Sequence, residues 1–122
     1  MCSSDLPSFK LIQGGCPHGD GSGGPGYSIP WEDNDLKHEA GAVAMGLSSG
    51  ADRKPLKNSG GSQFYVCAEP IPSLDGNYCV FGKVIEGLET VRKIAAVQTD
   101  PKQPNRPRVP VEMEKVIIEY RK

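Results

Sequence analysis

The 122-residue sequence has no run of about 18 apolar residues, which excludes a membrane-spanning helix. It has no excess of charge of one sign either. A net charge of −1 offers no basic surface to nucleic acid or to an anionic membrane. None of the four cysteines, Cys2, Cys16, Cys67 and Cys79, lies two to four residues from another, so the paired spacing of a metal site is missing. Only two histidines occur, His18 and His38. Both fall in polar loop contexts and are expected to be solvent-exposed, and no nucleophilic triad can be assembled around them. The opening residues carry no charged-then-apolar leader pattern. Cys67 and Cys79 sit in apolar, strand-like runs where a thiol acts as a small hydrophobe, and a reducing, cytoplasmic setting is expected.

What is present is glycine (15) and proline (11), spread along the whole chain. With 37% hydrophobic and 24% charged residues, one globular domain is expected, made of short strands and many turns rather than a helical bundle. Residues 1–6 lack periodicity, and Cys2-Ser3-Ser4-Asp5-Leu6 matches one reading frame of a common sequencing adapter. They are expected to be a non-native scar ahead of a domain spanning 7–122.

The organising run is Gly60-Gly61-Ser62-Gln63-Phe64-Tyr65-Val66-Cys67, two glycines opening into alternating side chains. On a strand, Gln63 and Tyr65 face one way while Phe64 and Val66 face the other. Alone, such a run reads as an ordinary half-buried strand. Further strands are expected at Phe9 to Ile12, Gly41 to Gly46, Tyr78 to Val84 and Val111 to Tyr120. His18 to Pro30 is a glycine-rich loop that needs positive φ and close backbone approach. A phosphate cradle is the poorer reading there, because no Lys-Ser or Lys-Thr pair and no helix follow. Asp75-Gly76 marks a turn. Gly87 to Val97 reads as the one helix, a packing element with Leu88, Val91 and Ala95 on one stripe. Thr99 to Pro110, with four prolines, reads as an extended connector. The expected fold is mainly β: a Greek-key-like barrel or sandwich with one helix across an open end.

Four ordered motifs, Gln13-Gly14-Gly15, Gly21-Ser22-Gly23-Gly24, Gly61 to Tyr65 and Leu74 to Val84, resemble the cyclophilins, a class of peptidyl-prolyl cis-trans isomerases. Gly24-Pro25-Gly26-Tyr27 is similar to the bacterial branch, and the likeness runs from about Pro7 to Tyr120. The resemblance implies an eight-stranded β-barrel with an open groove for X-Pro peptides, acting on proline-containing peptides and unfolded proteins without cofactor or metal. By motif position it implies that Gln13 and Gln63 are the catalytic glutamines of the groove. Gly46 and Leu47 would pair with the peptide backbone, Tyr65 would floor the proline pocket, and Leu74 and Tyr78 would form its far wall. Phe9 and Leu11 complete the expected substrate-binding set.

The sequence also departs from the family. A Phe-His-Arg run is expected just before the proline that Pro7 matches, yet Cys2-Ser3-Ser4 stands there and no arginine precedes Arg53. The first strands and first helix of the barrel are likewise expected to be missing. Lys10 occupies the place of an aromatic residue, with Phe9 one position early. Ser73 replaces a tryptophan of cyclosporin-sensitive members, so weak cyclosporin binding is expected. Three readings remain open: an isomerase impaired by loss of its arginine, a non-catalytic proline-peptide-binding module, and a structural β-domain unrelated to peptides.

Overall fold

The computed structural model describes residues 2–3, 11–18, 23–32, 34–48, 54–96, 99–100, 103–107 and 112–120. Its strands are β1 (Cys2–Ser3), β2 (Leu11–Gly14), β3 (Ala42–Met45), β4 (Phe64–Cys67), β5 (Val80–Lys83), β6 (Thr99–Asp100) and β7 (Gln103–Pro107). The helix α1 spans Leu88–Ala95, and a 3-10 turn covers Pro72–Leu74. Five strands form one antiparallel sheet in the order β1-β2-β4-β3-β5, and β6 pairs with β7 separately. The chain is mainly β with one helix, as its glycine and proline content suggested. Among the described residues the sheet does not close: β5 pairs with β3 alone.

Strand alternation builds two apolar layers from the same three central strands. On one face Ala42, Ala44, Tyr65, Cys67 and Val80 cluster with Ile71, and Leu11, Leu74 and Tyr78 pack against them. On the other, Ile12, Val66 and Ala68 meet Ala95, with Val43, Phe64, Val91 and Ile94 around them. Neighbouring residues of one strand thus serve opposite layers, as a period of two requires. Register is fixed by this pattern, since a slip of one residue would exchange the two faces. Gln13 stands opposite Tyr65, and Ala44 pairs with Tyr65 from the other side.

Helix α1 covers the second face and leaves the first to loops. Gly87, at φ 87°, is its N-cap, so the helix begins one residue later than expected and Val97 lies outside the described residues. Glu89 in the first turn and Arg92 and Lys93 in the last complement the helix dipole. Arg92 Nε also donates to the Ala68 carbonyl at 3.3 Å, tying the helix to the end of β4.

Two expected elements come out differently. The segment 112–120 is not a strand, and Ile117 and Ile118 are exposed. A strand requires a neighbour to take up its N–H and C=O groups, and no described strand lies beside this segment. The proline-rich connector after α1 instead holds the short β6–β7 ladder, Thr99 opposite Pro107 and Asp100 opposite Gln103. Extended backbone of the kind proline enforces can pair at so short an edge.

Candidate functional site

Three chain segments converge at one end of the sheet. Gln13 is near the end of β2, Gly46 follows β3, and Gln63 precedes β4. The Gly46 N–H donates to the Gln63 carbonyl at 2.9 Å, locking the two strand ends together. The side-chain amide of Gln13 donates through Nε2 to Gln63 Oε1 at 2.9 Å. Gln63 Nε2 in turn donates to the Gly23 carbonyl at 2.6 Å. One glutamine therefore holds the other while reaching into the glycine-rich loop. Between them and the segment Gly23 to Ser28 opens a hollow of about 650 Å³, which Gly46, Leu47 and Asn58 also line.

Glycine keeps this hollow open. A Cβ at Gly46 would come within 3.2 Å of Gln63 Cβ and 3.3 Å of Gln13 Nε2, narrowing the gap between the paired amides and the loop. Gly26, at φ 89°, sits in the loop that forms the opposite bank. Apart from the Tyr27 phenol, the hollow has no ionisable side chain among the described residues, and no arginine lines it. Its chemistry is that of amides, hydroxyls and backbone groups. Such a surface can hold a peptide by hydrogen bonds, and among the described lining residues no general base stands ready to activate a serine hydroxyl. Among the described residues no group of three or more His, Cys, Asp or Glu could hold a metal ion. No helix among them is long and apolar enough to cross a membrane.

An apolar cluster adjoins the hollow. Tyr65 meets Tyr78 edge-to-face, ring centroids 5.7 Å apart at 85°, and Leu11 and Leu74 pack on the same layer. Tyr65 is only 3% exposed and does not line the hollow. The expectation that it would share one cavity with Gln13 and Gln63 is corrected accordingly. Strand alternation does put Tyr65 on the Gln13 face, but the segment from Ile71 to Tyr78 packs over its ring. The expected residues thus divide into two adjacent sets: Gln13, Gly46, Leu47 and Gln63 in the polar hollow, and Leu11, Tyr65, Leu74 and Tyr78 in the apolar cluster. Phe9 lies outside the described residues.

His38 is a second correction. It is 2% exposed rather than solvated, whereas His18 is exposed as expected. Its backbone N–H donates to Asp75 Oδ1 at 2.7 Å, and its Nδ1 lies 2.9 Å from the same oxygen. Its Nε2 lies 2.6 Å from the Tyr65 hydroxyl, and the two rings stack at 13°. An ionised carboxylate only accepts, so Nδ1 carries the hydrogen and Nε2 accepts from the tyrosine. The His38 backbone N–H, then its ring, hold the Asp75 carboxyl below its usual range. Burial pushes the Tyr65 phenol upward, and it pushes the Cys67 thiol up to about 11. One signal could have found this network: a buried tyrosine hydroxyl needs a partner. Nothing in local spacing says that the partner lies 27 residues upstream.

Comparisons with known proteins give the family. The family model for the cyclophilin type peptidyl-prolyl cis-trans isomerase/CLD matches residues 7–117. A peptidyl-prolyl cis-trans isomerase of Synechococcus elongatus is 47% identical over 91 residues, covering 73% of this chain and 57% of the relative. Peptidyl-prolyl cis-trans isomerase B of Bacillus subtilis is 47% identical over 92 residues, covering 74% and 59%. The chain thus spans somewhat over half the length of these relatives. A crystal structure of a Cryptosporidium parvum cyclophilin type isomerase aligns with a TM-score of 0.71 at 31% identity, over 88% of this chain and 65% of that one. The same enzyme in the presence of the dipeptide Ala-Pro aligns at 0.68 and 32% identity, over 87% and 65%. The chain belongs to the cyclophilin-type peptidyl-prolyl cis-trans isomerase family.

Proposed function

We propose that this domain binds X-Pro segments of peptides and unfolded proteins in the Gln13–Gln63 hollow and accelerates their cis/trans isomerisation. The observation that carries this reading is the paired glutamine amides, 2.9 Å apart and facing a cavity kept open by Gly46. The X-Pro bond turns slowly because amide resonance imposes a barrier of roughly 18–20 kcal/mol. Lowering it needs neither base nor metal, only tighter binding of the twisted amide than of the planar one. Gln13 and Gln63 supply directed donors and acceptors for the peptide backbone. The partly buried Leu11, Leu74 and Tyr78, backed by the Tyr65 ring, supply an apolar wall for the proline, and the fixed dipoles of the amides act strongest where water is excluded.

A cationic donor to the prolyl nitrogen would localise its lone pair and weaken the resonance. No arginine precedes Arg53 in this sequence. By analogy with deletion of a single transition-state donor, its absence costs about 3 kcal/mol, or about a hundredfold in rate. On this reading the sequence with Cys2-Ser3-Ser4 ahead of Pro7 isomerises X-Pro peptides about a hundredfold more slowly than a counterpart that carries such a donor. Ser73, exposed in the 3-10 turn, stands in place of the tryptophan, and cyclosporin binds weakly on this reading.

Nuclear magnetic resonance with an Ala-Pro tetrapeptide tests the proposal. The backbone amides of Gly46 and Gln63 are expected to shift saturably, with peptide cis/trans exchange accelerated only slightly. Extending the chain with Phe-His-Arg ahead of Pro7 is expected to raise the exchange rate about a hundredfold. Peptide that leaves both amides unmoved would refute the reading.

A further inference from the structure

His38 is a buried titratable side chain that the isomerase reading leaves unused. It engages four of its own groups. Its backbone N–H and its Nδ1–H both reach Asp75 Oδ1, at 2.7 and 2.9 Å. Its carbonyl accepts from the Ile71 N–H at 2.8 Å. Its Nε2 accepts from the Tyr65 hydroxyl at 2.6 Å. Ile71 and Asp75 bracket the 3-10 turn that contains Leu74, and Tyr78 follows three residues after Asp75. His38 therefore grips both ends of the 3-10 turn and the strand residue beneath it.

We propose that His38 is a positioning residue for the proline pocket: clasped to Asp75 and Ile71, it fixes the Ile71–Tyr78 wall over the Tyr65 ring. This rests on the peptide-binding reading above. The physical consequence concerns the tyrosine hydroxyl. Bonded inward to His38, it presents no polar group to a ligand, and the buried ring serves as apolar backing for Leu74 and Tyr78. The stacked His38 ring, with its plane 13° from that of Tyr65, also limits tilting of the tyrosine. The edge-to-face contact with Tyr78 is thereby held in one geometry. Without the His38 ring the hydroxyl is left buried and without this partner, and its easiest relief is to displace the Ile71–Tyr78 segment that covers it. His38 touches no peptide in this account; it acts through Tyr65 and the wall.

The experiment uses the full chain, with histidine nitrogens labelled, titrated with an Ala-Pro tetrapeptide. The free protein is expected to show His38 as the Nδ1–H tautomer. Its ring nitrogens should shift on the same saturation curve as the Gly46 and Gln63 amides. His38→Leu is expected to raise the KM for the peptide about tenfold while kcat stays within about twofold, because placement of the ring and not the chemistry is lost. Tyr65→Phe added to His38→Leu removes the orphaned hydroxyl and should bring KM back to within about threefold of the parent. A folded His38→Leu protein with parental KM, or a double variant no better than the single, overturns the proposal. If His38→Leu does not fold, the unsubstituted protein decides: a His38 ring that stays silent while Gly46 and Gln63 saturate overturns it. Silence at Gly46 and Gln63 as well would instead bring down the peptide-binding reading on which it stands.

Discussion

Gln13 and Gln63, 50 residues apart in sequence, meet through a single amide–amide hydrogen bond of 2.9 Å at the mouth of the hollow. Gln63 passes the connection on to the Gly23 carbonyl at 2.6 Å. Replacing Gln63 by alanine leaves the Gln13 amide without this acceptor and the Gly23 carbonyl without this donor. Each loss in a half-buried setting costs about 0.5–1.5 kcal/mol. Gln63→Ala is accordingly expected to weaken Ala-Pro peptide binding about tenfold, followed by titration of the Gly46 amide. Affinity within twofold of the parent would show that the pair is not part of the binding surface.

Gly15 marks where the loop after β2 passes closest to the segment before β4. Its φ is +89°, and a Cβ placed there would sit 2.0 Å from the Ser62 carbonyl oxygen. Neither atom is the flexible end of a side chain, so the backbone itself must move. Gly15→Ala is expected to cost at least about 2 kcal/mol, or roughly 8 °C of Tm for a domain of this size. Gly24→Ala is the control, since nothing lies within 4 Å of its added Cβ. Equal melting temperatures for the two variants would contradict this account.

These two sites show which parts of the molecule could be read in advance. The alternation of Phe64, Tyr65, Val66 and Cys67 was legible because opposite faces of a strand need opposite side chains, and the two clusters confirm it. Gln13, Gly46 and Gln63 were legible by family motif, and they do converge. That Tyr65 is covered and does not line the hollow was not legible, because alternation gives a direction and says nothing of what else packs there. The covering segment, Ile71 to Tyr78, is held by His38, whose partners are distant in sequence. His38 itself looked like a loop residue, since flanking Lys37 and Glu39 are polar while its own ring turns inward. The segment from Val111 to Tyr120 reads as a strand because its apolar content is visible in the sequence, whereas the absence of a pairing strand among the described residues is not, and Val111 lies outside them.

The ionisation of Asp75 and Cys67 sets opposite ends of a pH profile. The Asp75 carboxyl is held below its ordinary 3.8, mainly by the His38 backbone N–H. Its contribution to stability is present above that ordinary value and is lost as pH falls through the folded value. The Cys67 thiol is raised from 9.0 to about 11 by burial, then by the charge of Asp75. Its contribution is present below 9.0 and is lost as pH rises toward 11. Thermal melts across this range should show Asp75→Asn flattening the acid limb and Cys67→Ala the alkaline one. Superimposable profiles for all three proteins would mean that neither group is coupled to folding.

The outer edge of β5, beside which no further strand pairs among the described residues, carries the last consequence. Phe81, within that strand, is 54% exposed, and Ile85 just beyond it is 81% exposed. Among the described residues no strand other than β3 pairs with β5, and the Asn34 side chain donates to its Val80 carbonyl at 3.1 Å. Val116, Ile117 and Ile118 add a second apolar stretch at 72%, 65% and 77% exposure. An unpaired edge flanked by such groups is a template for strand addition from another chain. The protein is therefore expected to associate as its concentration rises and to bind a hydrophobic dye strongly. A charge placed on the edge opposes pairing without touching either core layer, so Phe81→Lys should shift association to several-fold higher concentration. Light scattering across a dilution series, beside a thermal melt, reads both effects. A monomer throughout the series with a sharp cooperative melt would establish that the edge is protected in solution.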